Sequence, residues 1–234
     1  MRPLSTVLMI TILLLGGIIA SAQPTIKIKK SDLQKDVLMV TDSGNLILRL
    51  KDETPLHRDN FIKLVKSKYY NDISFHRVIA GFMIQAGDEK TKRKADSTRF
   101  LKSYTLPAEI SPDFFHKKGM LAAARMGDNV NPKRESSGVQ FYIVQGRIFN
   151  DVSLDSVETH RLKGRKLPEA HRSRYKTEGG APHLDQNYTI FGELVSGYDV
   201  LDKIANTKTS GRQGGDKPLT DIRIRDMKMI RRLH

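Results

Sequence analysis

The residues best suited to chemistry stand in one stretch, Ser74-Phe75-His76-Arg77-Val78-Ile79-Ala80-Gly81-Phe82-Met83-Ile84-Gln85-Ala86-Gly87-Asp88. It reads as two short apolar strands, broken at Ala80-Gly81 and stopped at Gly87-Asp88. Alternation places Phe75, Arg77 and Ile79 on one side of the first strand. On the second, Met83 and Gln85 share a side and Ile84 takes the other. A guanidinium buried in an apolar strand without a partner is very costly, so Arg77 must be paired or must face a groove. Gln85 offers donors and an acceptor but no charge, and can hold the guanidinium without quenching it. The competing structural reading is an ordinary core strand with a snorkelling arginine.

The elements that must position this stretch can be read along the chain. Val37 to Thr41 and Asn45 to Leu50 are strand-like and joined at Asp42-Ser43-Gly44, a hairpin signal. Thr54 and Pro55 open a helix in which Phe61, Leu64 and Val65 repeat at helical spacing. Thr105 to Ile110 contains Pro107 and fits an edge strand or bulge. Gly119 to Arg125 accommodates either a strand or a short alanine-rich helix. Gln140 to Val144 is a strand, with Gln140 and Tyr142 on one face and Phe141 and Ile143 on the other. Residues 147–182 read as a charged insertion, with Val152, Leu154 and Val157 suggesting a short amphipathic helix. Tyr188 to Gly192 resumes strand character, Asp199 to Ala205 is a helix, residues 211–217 turn, and Ile222 to Ile230 close the sheet. Many short strands with few helices and no βαβ alternation favour an all-β barrel.

Residues 1–22 carry the pattern of a signal peptide: Arg2, an apolar run from Val7 to Ile19, and Ala20-Ser21-Ala22 as a cleavage site. The run falls short of the roughly 20 residues a membrane span needs, and an uncleaved anchor is the alternative. Cleavage leaves about 212 residues, suited to one domain with an insertion. Residues 23–36 read as a flexible lead-in and 37–234 as the folded domain. The chain has no cysteine, so a core rather than disulfides must hold it. Its formal charge of +14 is spread as single residues and pairs, with no basic helix. That argues for a basic solvated surface rather than a nucleic-acid partner.

Four separated segments, in order, closely resemble the cyclophilins, the peptidyl-prolyl cis-trans isomerases. They are the Arg77 strand pair, Gly119-Met120-Leu121-Ala122-Ala123-Ala124-Arg125, Ser137-Gly138-Val139-Gln140-Phe141-Tyr142-Ile143, and Leu184-Asp185-Gln186-Asn187-Tyr188-Thr189-Ile190-Phe191-Gly192-Glu193. One such word is weak and four in sequence are strong. The resemblance implies a closed antiparallel eight-stranded barrel capped by two helices, with a helical or loop insertion at 147–182. It makes Arg77 the counterpart of the catalytic arginine and Gln85 that of the glutamine positioning it. Phe82, Met83, Tyr142 and Leu184 correspond to walls of the proline pocket, and Ala124, Arg125 and Gln140 to groove residues beside the peptide backbone. The sequence departs from the commonest family pattern at His183, where a large residue such as tryptophan is frequent, at Tyr188, where histidine is frequent, and at Arg125, where asparagine is frequent. Tyr188 and Arg125 resemble bacterial members, and these three positions are also expected at the substrate.

The expectation is an exported isomerase acting on proline-containing polypeptides as a monomer in the periplasm of a Gram-negative cell, needing no cofactor or metal. It is expected to have no nucleic-acid partner and, after signal cleavage, no integral membrane segment. A non-catalytic peptide-binding chaperone or scaffold using the same barrel and its basic insertion is the alternative.

Overall fold

The computed structural model describes residues 26–93 and 104–233, so the expected signal segment and most of the loop after Glu89 lie outside the described residues. Among the described residues ten strands and four α-helices follow one another. They are β1 (Lys35–Thr41), β2 (Gly44–Leu50), α1 (Pro55–Lys66), β3 (Arg77–Ile79), β4 (Met83–Ala86), β5 (Thr105–Leu106), β6 (Met120–Ala123), β7 (Ser136–Ser137), β8 (Phe141–Val144), α2 (Asp151–His160), α3 (Glu169–Thr177), β9 (Ile190–Ser196), α4 (Tyr198–Ala205) and β10 (Ile224–Arg231). Eight strands form one antiparallel sheet in the order β10-β1-β2-β9-β6-β8-β4-β3, and β5 and β7 pair separately.

The expected closed barrel is corrected here: the sheet is open, a half-barrel curled through 203°. Strands β3 and β10 are its two edges and share no ladder, and the edges approach only before β3, where Ser74 bridges Arg223 and Asp72, Ile73 and Phe75 exchange backbone hydrogen bonds with Ile222 and Ile224. The reason is local. β3 is three residues long, and its Val78 N–H donates to the Asp216 carbonyl at 2.9 Å, so the turn after Gly211 docks where a partner strand would pair. Short edges covered by a loop expose few unpaired backbone groups.

Alternation decides which side of the curl each residue serves. Val37, Met39, Leu46, Leu48, Ile84, Phe141 and Ile143 point into one core with Phe61, Ile62 and Val65 of α1 and Val200, Leu201 and Ile204 of α4. Phe61 anchors an aromatic cluster, edge-on to Phe141 at 5.5 Å and near Tyr70 and Phe191 at 5.2 and 5.3 Å. Each such pair adds about 0.5–1.5 kcal/mol beyond the area it buries. Met83, Met120, Ala122, Tyr142, Val144 and Ile190 form a second cluster on the other face. Phe75 joins the α1 core with Val78, not the side of Arg77, because regular strand geometry begins only at Arg77. Gly119 to Arg125 resolves as strand β6, buried along its whole length. Lys30–Gln34 is a 3-10 turn whose buried Asp32 accepts from Lys66 at 2.7 Å, which fastens the described part of the lead-in to α1.

The insertion contains two helices where the pattern suggested one. Leu154, Leu162, Leu167, Tyr175 and Phe149 form its own small core, whereas Val152 is 77 % exposed. Its neck closes where Arg147 and Gly180 exchange backbone hydrogen bonds at 3.3 and 3.0 Å. Gly146 has φ +67°, and a Cβ on it would lie 2.3 Å from the Gly180 Cα, so only glycine permits this approach.

Candidate active site

Arg77 stands on edge strand β3 directly opposite Gln85 of β4, and Met83 and Gln85 face the same side while Ile84 enters the α1 core. Across the next pairing, Gln85 opposes Tyr142 of β8, which in turn opposes Ala122 of β6. One face of the sheet therefore carries Arg77, Gln85 and Tyr142 in a row.

A cleft of about 130 Å³ opens on this face, lined by Arg77, Phe82, Met83, Gln85, Ala124, Arg125, Tyr142, Leu184 and Tyr188. Nine of the eleven residues singled out from the sequence thus meet in one cleft. The other two border it: Gln140 accepts from the Gln85 amide at 3.1 Å, and His183 lies against Phe82 with ring centroids 5.2 Å apart. The proposed role of Gln85 in holding Arg77 is revised accordingly. Its amide is committed to Gln140, and the contact on the guanidinium comes from Asp216, whose Oδ2 lies 3.7 Å from Nε. Arg77 keeps 43 % of its side chain exposed, so it is not buried in the sheet, and its terminal nitrogens have no partner among the described residues.

Arg125 is a wall rather than a free hand. Its Nε donates to the Asn187 carbonyl at 2.7 Å and Nη1 to that of Met126 at 2.9 Å, with Asp128 2.6 Å away. Its guanidinium also covers the Tyr188 ring at 4.6 Å, and Tyr188 meets Tyr142 edge-on. The Ala124 N–H donates to the Gln140 carbonyl, and its own carbonyl accepts from Ser137. Phe82 is held by buried Gln145, which accepts from Gly81 N–H at 2.6 Å and whose own N–H donates to the Phe82 carbonyl.

Behind the cleft runs a buried polar chain. Asp185 Oδ1 lies 3.0 Å from His116 Nδ1 and accepts from the His116 N–H and the Tyr175 hydroxyl at 2.8 Å each. With the carboxylate accepting a hydrogen bond from Nδ1–H, Nε2 is the free acceptor of that tautomer and takes the Tyr142 hydroxyl hydrogen bond at 3.0 Å. Burial raises the pKa of both Tyr142 and Tyr175, which keeps them donors. His183 behaves oppositely. Burial first, then Arg161 and His116, lower its pKa to about 4, leaving a neutral ring at neutral pH.

Sequence reading missed Asp216, Gln145, His116 and the pocket-side role of Asp185. Asp216 had a signal, since its Gly-Gly-Asp-Lys turn was legible, but nothing local places that turn beside Arg77. Asp185 lay inside a matched segment.

The comparisons agree with this geometry. Residues 37–229 match the family described as cyclophilin type peptidyl-prolyl cis-trans isomerase/CLD. A putative peptidyl-prolyl cis-trans isomerase of Staphylococcus saprophyticus is 34% identical over 195 residues, which are 83% of this chain and 91% of that protein. One from Staphylococcus haemolyticus is 33% identical over 200 residues, 85% and 93% of the two chains. Among solved structures, a Cryptosporidium parvum cyclophilin type isomerase superposes with a TM-score of 0.59 at 24% identity, covering 84% of this chain and 97% of its own. The same protein crystallised with the dipeptide Ala-Pro gives a TM-score of 0.58. The chain belongs to the cyclophilin-type family, and it is a peptidyl-prolyl cis-trans isomerase. Among the described residues no helix is long and apolar enough to cross a membrane.

Proposed function

We propose that this isomerase turns X–Pro bonds in polypeptides folding outside the cytoplasm, with Arg77 as its catalytic residue and the cleft of Phe82, Met83, Tyr142 and Leu184 as the seat of the proline ring. The observation that carries this reading is the open guanidinium at the cleft rim, touched among the described residues by a single carboxylate through Nε.

The amide resists rotation because the nitrogen lone pair is shared with the carbonyl, which sets a barrier of roughly 18–20 kcal/mol. In the twisted state the pair returns to nitrogen and can accept a hydrogen bond that the planar ground state cannot. A fixed cationic donor then binds the transition state more tightly than the substrate. Each 1.36 kcal/mol so gained is about tenfold in rate. Arginine suits the task because its planar fork can reach the ring nitrogen and a neighbouring carbonyl together. The apolar walls hold the ring while the other side of the bond turns.

Export rests on the pattern of residues 1–22 and on the lack of cysteine. The periplasm is the compartment we assign, with the cleaved chain acting as a monomer. The assay that tests the catalytic role compares the parent with Arg77→Ala on a proline peptide. Loss of at least about a hundredfold in kcat/KM is expected from removal of a charged transition-state donor; activity equal to the parent removes Arg77 from catalysis. Cell fractionation with mass measurement of the mature N-terminus tests export, and an intact chain found in the cytoplasm contradicts it.

A further inference from the structure

A second, larger recess of about 400 Å³ adjoins the Arg77 cleft and shares Phe82 with it. One side is formed by Phe82 and His183, and the other by the exposed end of α2 with Ser156, His160 and Arg161. Arg147 lies at the neck, its guanidinium 4.8 Å above the Phe149 ring. The insertion therefore builds this space, and the canopy of the cleft continues into it.

Charge is sorted across α2. Its acids Asp151, Asp155 and Glu158 all turn to Arg172, at 3.0, 3.0 and 2.8 Å. No acidic residue lines the recess, and neither Arg147 nor Arg161 has an ion pair among the described residues. His183, neutral at neutral pH, adds no charge there. Two exposed guanidiniums, Arg147 above the Phe149 ring and Arg161 at the end of α2, line the recess with Ser156 and match a carboxylate in charge and in hydrogen-bond capacity.

We propose that the recess is an extension of the substrate groove that receives an Asp or Glu side chain of the client, between Arg147 and Arg161. This rests on the reading of the Arg77 cleft as the proline site. Because the recess and the cleft share Phe82, an extended client places the acid within a few residues of the proline. Continuity through Phe82 favours a side chain of the same polypeptide over a separate partner. The insertion then makes the enzyme selective for prolines with acidic neighbours, rather than serving as a separate surface.

The test uses peptides that differ only by Glu against Gln at each of the second to fourth positions on either side of one proline. Binding is measured by fluorescence anisotropy and bond exchange by NMR on the same peptides. At low salt the full chain binds the Glu form about three- to tenfold more tightly at one or more of these positions, the range for two partly exposed ion pairs. The preference shrinks as salt is added. It disappears in the Arg147→Gln/Arg161→Gln double variant and persists in Lys228→Gln/Arg231→Gln, which removes two exposed cations from β10. Equal binding of Glu and Gln at every position overturns the proposal, as does a preference that survives the Arg147/Arg161 change. Replacing the proline by alanine separates the two readings. Acid preference that persists with no loss of affinity keeps the recess and removes the cleft as proline site, whereas proline-dependent binding with no acid preference does the reverse.

Discussion

Asp216 Oδ2 lies 3.7 Å from Arg77 Nε and is the one carboxylate at that guanidinium among the described residues. The same residue, at φ +56°, caps edge strand β3 by accepting from Val78 N–H. One turn thus keeps the sheet open at this edge and steadies the cation beside it. So long an ion pair on a half-exposed group is worth about 0.2–1 kcal/mol. Asp216→Asn is accordingly expected to lower kcat/KM about two- to fivefold in the peptide assay, with the unfolding midpoint close to that of the parent. A loss as large as that of Arg77→Ala would give Asp216 a larger part than orientation.

The buried chain from Tyr175 through Asp185 and His116 to Tyr142 ties the insertion to the cleft wall. Tyr175→Phe strips Asp185 of a donor, and leaving a buried acceptor short costs about 1–3 kcal/mol. Urea unfolding is expected to show that loss with an unchanged m-value. Tyr142→Phe leaves only His116 Nε2 unmatched, at the lower end of the same range. If both variants match the parent in stability, the chain is geometry without energetic weight.

Most of the cleft was legible because its residues belong to short, contiguous words whose alternation is fixed by the strand. Met83 against Ile84 and Tyr142 against Phe141 fall on the faces that a two-residue period dictates. Phe75 did not, because its segment is irregular before Arg77. Closure of the sheet was not legible, since it depends on whether the two edges meet, and regular β3 begins only after the Ser74–Arg223 bridge, too late to form a ladder with β10. Helix α3 was hidden by its composition: only Tyr175 is buried in a run of charged residues, so no apolar stripe announces it.

Glu158 supplies a pH signature for the insertion. Hydrogen bonds from Lys166, Leu167 N–H and Arg172 outweigh its burial, which opposes ionisation, and bring its pKa down to about 2. A carboxyl whose folded pKa is depressed stabilises the fold above its unfolded value near 4.5, and that stability is lost as pH falls toward 2. Thermal unfolding followed from pH 6 to pH 2 is expected to fall more steeply for the parent than for Glu158→Gln below about 4.5. Parallel curves would remove Glu158 from the acid response.

His183 is expected to stay neutral well below the usual histidine range, because burial and the neighbouring Arg161 disfavour its charged form. Since the unfolded chain binds that proton more readily, His183 withdraws stability as pH falls from about 6.5 to about 4. Its ring resonances, followed by NMR, should titrate near pH 4, and a midpoint near 6.5 would place it in solvent rather than against Phe82.

Arg77 is expected to act on the turning bond and not merely on peptide affinity. The direct measurement is NMR exchange between cis and trans forms of one proline peptide, saturated in turn with the parent and with Arg77→Ala, with affinity read from the same titrations. Bound-state exchange is expected to slow by about a hundredfold or more, while affinity changes only severalfold. Exchange at the parental rate on saturated Arg77→Ala would contradict it.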